Sequence, residues 1–175
     1  MAMTQVAGAI PLCPHKGCAF RCCDFQQMVH ILLYPGELEA AVAQDRSVAH
    51  LEILGTNFHG GVRARCRARD TATCDGGYKP LDCISYPFFP ELSAGSTGRQ
   101  GEAQVVTVAK GSGCPLAADE IRHHERYVRD IWQGLVEKDS KIADWLRSLS
   151  ESTTDSLDPE DYQPVPGASA RDPAA

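Results

Sequence analysis

The stretch CPHKGCAFRCC, Cys13 to Cys23, sets four thiols within eleven residues, and the last two are adjacent. Thiolates reach zinc at about 2.3 Å, so a tetrahedral site needs side chains that converge on one point. Short spacings through tight turns bring Cys13, Cys18 and one of Cys22 or Cys23 together at little cost in chain entropy. Adjacent side chains diverge where the backbone is extended. Cys22 and Cys23 are therefore expected to serve different places, one in a first site and one in a second site or the core. Cys66, Cys74, Cys83 and Cys114 are spread along the chain and must be brought in by tertiary folding. All eight cysteines are candidate metal ligands. They allow two four-cysteine sites, one four-cysteine cluster with spares, or a polynuclear site with bridging thiolates.

Closely spaced thiols in a reducing compartment are more often metal ligands or redox groups than disulfides. The N-terminus, MAMTQVAGAIPLCP, has no basic region and only a short, weakly apolar stretch, so it does not read as a signal peptide and a cytoplasmic location is expected. Zinc and iron–sulfur both accept four thiolates. The paired Cys-x2-Cys knuckles of a zinc ribbon are absent, and so is the close ferredoxin run that ends in Cys-Pro. Irregular, all-sulfur ligand spacing favours an iron–sulfur cluster, 4Fe–4S, over zinc.

GVRARCRAR (61–69) reads as a strand with Arg63, Arg65, Arg67 and Arg69 on one face and Val62, Ala64, Cys66 and Ala68 on the other. Arg63, Arg65 and Arg67 are candidates for binding the anionic part of a cofactor or partner. The plainer expectation is a solvent-facing row of charge that discourages edge pairing. His15 lies inside the knuckle, His123 and His124 fall early in a predicted helix, and Glu120 is one turn from His124. For these the solvated reading is preferred. Tyr86, Phe88 and Phe89 of SYPFFP are expected to pack around a metal site and exclude water. No G-x-S-x-G, H-E-x-x-H or phosphate loop is present.

The elements that must carry these residues follow from periodicity. MVHILLY (28–34) alternates as a strand, and Pro35 stands where a first helical residue would, ahead of the helix GELEAAVAQD. VAHLEIL (48–54) and AQVVTVAK (103–110) read as further strands, and residues 70–100 as mostly irregular. Apolar residues from Ile121 to Leu149 recur at helical steps, with Asp139–Ser140 as a cap that splits them into two helices. Residues 1–12 read as an arm, 13–149 as the cysteine-cluster domain and 150–175 as a disordered tail. The chain has 175 residues, a 43% hydrophobic content and a net charge of −6. That length suits one small α+β domain: a short, mostly antiparallel sheet, irregular cysteine-rich segments and C-terminal helices around a metal site. The acidic balance disfavours nucleic acid, and no apolar run reaches the length of a membrane span.

Cys13-x4-Cys18-x3-Cys22-Cys23, the segment YKPLDCISYPF (78–88) and Cys114-Pro115-Leu116 together resemble the bacterial zinc- or iron-chelating cysteine-cluster family, the YkgJ-like proteins. The resemblance covers residues 13–149 in outline. It implies metal binding without a settled reaction. Two positions depart from it: the first interval is four residues where the family more often has two or three, and Ile84 follows Cys83 where the family usually has arginine. The expected role is structural, redox or accessory to an enzyme encoded alongside. The alternatives are a metalloenzyme with an open coordination position and a zinc-stapled interaction module.

Overall fold

Alternating apolar residues hold as strands where at least one face finds cover, and around residue 31 both faces do. The computed structural model describes residues 30–70, 73–93, 104–109 and 116–151. Its elements are β1 (Ile31–Leu33), α1 (Glu37–Ala43), β2 (Leu51–Thr56), β3 (Val62–Cys66), a 3₁₀ turn (Cys74–Gly76), α2 (Leu81–Ser85), β4 (Phe88–Leu92), β5 (Val105–Ala109), α3 (Ala118–Lys138) and α4 (Ser140–Glu151). The architecture is small α+β, with an antiparallel sheet in the order β1-β3-β2 and a separate antiparallel β4-β5 pair.

The three-stranded sheet has two differently covered faces. Leu33, Leu51, Val62 and Ala64 form a thin core on one face, with Ile31, Leu38, Val48 and Ile53 packed against it. Leu32 points the other way and joins the larger core. There Trp132 of α3 and Trp145 of α4 stack with centroids 6.2 Å apart. Around them lie Val128, Val136, Ile142 and Leu146, closed off by Leu81, Ile84, Phe88 and Val105. Both tryptophans are at most 1% exposed. Burying a side chain of that size stabilises by about 2–3 kcal/mol, so this pair anchors the larger core.

Local chemistry sets the joints. Tyr34 to Glu37 form a type II turn: Gly36 takes φ 86°, ψ 0°, and Glu37 N–H donates to the Tyr34 carbonyl at 3.0 Å. Pro35 is thus the first central residue of a turn rather than the first of a helix, and α1 starts two residues later than its position implied. Asp139 leaves helical geometry at φ −141°, ψ 110°. Its Oδ1 accepts from Lys141 N–H at 2.9 Å, which caps α4 where the sequence places the split.

Two further differences are local. The stretch 70–100, expected as mostly irregular, holds the 3₁₀ turn, α2 and β4 among its described residues. Leu81 and Ile84 turn one face of α2 into the larger core, and β4 pairs with β5, so distant neighbours supply the regularity. Helix α4 continues through Glu151, so it takes the first residues of the stretch read as a tail. The arm, the knuckle 13–25 and residues 152–175 lie outside the described residues.

Candidate metal centre

Three of the eight candidate ligands can be placed. Cys66 ends β3 opposite Leu51 and is half-buried. Cys74 opens the 3₁₀ turn and is 6% exposed. Cys83 sits in the middle of α2 and is half-buried. Cys13, Cys18, Cys22, Cys23 and Cys114 lie outside the described residues. Among the described residues no three His, Cys, Asp or Glu side chains converge as a metal site.

The turn at Cys74 has an unusual backbone. Cys74, Asp75 and Gly76 all have positive φ, at 53°, 53° and 75°. For the two non-glycine residues this costs roughly 1–2 kcal/mol each and must be held by its surroundings. Asp75 provides the hold. Its carboxylate accepts from Asp70 N–H at 2.8 Å and from Arg69 N–H at 3.1 Å, and these bonds keep it below the usual carboxylate range. Gly77 N–H returns to the Cys74 carbonyl at 2.9 Å, and Tyr78 N–H reaches Ser47 at 2.7 Å. The thiol of Cys74 therefore stands on a pinned loop.

His50 lies against this loop. Gly77 packs so closely on its imidazole that no larger residue fits there. The ring is 6% exposed, and its Nε2 has no hydrogen-bond partner among the described residues. Burial lowers its affinity for a proton, opposed by a hydrogen bond to the Tyr78 backbone and by Asp75.

Cys83 is positioned by a different device. Glu37, 1% exposed, accepts from Leu81 N–H at 2.7 Å, Tyr78 O–H at 2.8 Å and Tyr34 N–H at 2.9 Å. One carboxylate thus ties the Tyr34 turn, the Tyr78 segment and the start of α2. Asp82 Oδ2 accepts from Leu32 N–H at 2.9 Å and joins α2 to β1. Desolvation pushes the Glu37 carboxyl up to about 7, although all three donors favour its ionised form. Burial, then the charge of Glu37, pushes Tyr34 and Tyr78 well above the usual phenol range.

The arginines do not form one solvent-facing row. β3 ends at Cys66, so Arg67 and Arg69 lie beyond it. Arg63 is 8% exposed, in register with Leu32 on one side and Gly55 on the other. Arg67 donates to Glu52 Oε2 at 2.7 Å, and Arg65 lies 3.8 Å from the same oxygen. Burial, with the charges of Arg63 and Arg65, holds His30 below its usual range. A single carboxylate from β2 thus engages two of the three arginines proposed for an anion, and the third is packed beneath the sheet.

His124, expected on a solvated helix face, is 8% exposed and donates from Nε2 to the Tyr86 carbonyl at 3.0 Å. Phe88 and Tyr127 lie beside its ring. Glu120 accepts from Ala117 N–H at 2.9 Å and is spent on the helix start. Phe88 packs in the larger core beside Val105 and Trp132. Sequence reasoning passed over Glu37, His50 and Asp75. A glutamate in the first turn of a short helix ordinarily faces solvent, and the only local signal was the Tyr-Pro-Gly-Glu turn that returns its side chain to Tyr34. No family model, no curated protein and no solved structure matches the chain.

Proposed function

We propose that this chain is a metal-binding protein whose cysteine thiolates hold an iron–sulfur cluster or a zinc ion, in a structural, redox or enzyme-accessory role. The observation that carries the reading is the run Cys13-x4-Cys18-x3-Cys22-Cys23, four sulfur donors at turn-compatible spacing in a chain with four more. An all-sulfur donor set fits both groups. Cys13, Cys18 and one of the doublet would hold the metal together with a remote thiol from Cys66, Cys74, Cys83 or Cys114. A cluster would supply one-electron transfer; zinc would supply a redox-silent staple. The strained turn at Cys74 supports the reading, because backbone strain concentrates at ligand-bearing positions. Membership of the YkgJ-like family is part of the same proposal, as is an enzyme partner encoded alongside.

The test is iron, zinc and acid-labile sulfide per mole of chain, on protein purified without oxygen. Iron with matching sulfide, and visible absorption that bleaches on reduction, makes it a cluster protein. Zinc without sulfide makes it a stapled domain. Protein with neither, after growth in metal-replete medium, overturns the proposal.

A further inference from the structure

One edge of the His50 ring has a structural use, and the other has none. The imidazole is 6% exposed, and its Nε2 is buried without a hydrogen-bond partner among the described residues. Such a nitrogen forfeits the hydrogen bonds it makes to water in the unfolded chain. The Nδ1–Cε1 edge lies against Gly77, where a Cβ would come within 2.8 Å of Nδ1 and 2.9 Å of Cε1. The ring's hydrogen bond to the Tyr78 backbone raises its proton affinity, which marks the ring as the donor. Nε2 makes no such bond, so the donor is Nδ1, on the side of Gly77. A proton on Nδ1 leaves Nε2 with a bare lone pair. An imidazole whose other N–H is fixed by a backbone carbonyl is the arrangement of a metal ligand.

The turn that carries Cys74 is built against this ring. Gly77, packed on the imidazole, donates its N–H to the Cys74 carbonyl at 2.9 Å, so the two residues close one turn. Tyr78 N–H donates to the Ser47 carbonyl at 2.7 Å, and Arg46 Nη2 donates to the Gly77 carbonyl at 2.9 Å. These bonds fasten the turn to the segment that leads into His50. Cys74 is as buried as His50, at 6% exposure, and its positive φ persists only because the surroundings hold it. His30 offers a comparison, since its Nδ1 is also buried without a partner among the described residues. There the charges of Arg63 and Arg65 act on the ring and disfavour a cation. At His50 the carboxylate of Asp75 acts instead and favours one.

We propose that Nε2 of His50 and the thiolate of Cys74 are ligands of one metal ion, which adds a nitrogen to the sulfur donors of the site. The proposal rests on the metal-binding reading above and names two of the ligands. Imidazole suits zinc and iron alike, so the assignment holds for either metal. Three cysteines with one histidine is a closed zinc set, and imidazole also replaces thiolate on the iron of some clusters.

The test is spectroscopy of the metal that the full chain carries when purified without oxygen. For zinc the measurement is X-ray absorption, and wild type should show a nitrogen shell with imidazole scattering inside the sulfur shell. For a cluster it is pulsed electron paramagnetic resonance of the reduced form, and wild type should show a coupled nitrogen that responds to ¹⁵N-histidine labelling. His50→Cys should keep the metal and lose the nitrogen signal, because a thiolate takes the same position. His50→Ala and Cys74→Ala should each weaken retention of the metal against EDTA by about 10-fold or more. The wild-type signal decides the matter even where a variant fails to fold. Metal with sulfur ligands alone in wild type overturns the proposal and leaves the metal-binding reading standing. A histidine signal that survives in His50→Cys overturns it too, since another histidine is then the ligand. A wild-type chain without metal overturns both.

Discussion

At the scale of single residues, Glu37 sets the most exacting condition on this fold. Its carboxyl is raised to about 7 from an ordinary 4.5, so the folded protein binds its proton more tightly than the unfolded chain. The associated stability is complete below pH 4.5 and is lost as pH rises to about 7. The loss is about 3 kcal/mol for a shift of this size. His30 and His50, held below their ordinary value by burial, act in the opposite sense, adding stability as pH rises through the range just below 6.5. Comparing urea unfolding of wild type and Glu37→Gln at pH 4.5, 6 and 7.5 cancels the histidines. The stability gap between them should change by about 3 kcal/mol across the series; parallel curves would show that this carboxyl does not titrate there. Glu37→Gln should also be the weaker protein at low pH by about 1–3 kcal/mol, because its amide sets donors against donors. The cysteine doublet gives the second residue-scale prediction. Cys22→Ser and Cys23→Ser should differ in metal content per chain, one losing metal and the other keeping most of it. Equal loss would show that both thiols serve one site.

At the scale of elements, boundaries follow from caps and turns more than from propensity. Helices α3 and α4 are one amphipathic run interrupted at Asp139, whose side chain replaces the missing helical partner of Lys141 N–H. Asp139→Ala should destabilise by about 1 kcal/mol, and Asp139→Ser should recover most of it, read as urea midpoints at unchanged slope. An effect near zero would mean that packing of Trp132 on Trp145 alone positions the second helix. The strand 105–109 teaches a related lesson. Its β-branched sequence reads as the strongest strand, yet Val106 and Val108 are 36% exposed, since a two-stranded sheet covers one face only.

At the scale of the molecule, the hairpin β2–β3 and the helical layer meet at one point without room for a methyl group. A Cβ on Gly61 would overlap the indole of Trp145, which is fully buried. Gly61→Ala should therefore destabilise by about 1–3 kcal/mol or more, measured by denaturant unfolding, although Gly61 is in a turn. A neutral result would mean that the hairpin can tilt away from α4 without cost. Sequence alone determined the α+β class, the strands near 31, 51 and 62, and the helix pair and its break. These depend on local period, caps and residue type. Tertiary structure alone decided the rest. Glu37 looked like a solvated helix residue until Tyr78 and Leu81, over forty positions away, gave its carboxylate donors. Arg63 looked solvent-facing until the sheet acquired cover on both faces, and His124 until Tyr86 and Phe88 closed over it. Alternation tells which residues share a face, but the burial of that face is set by elements remote in the chain.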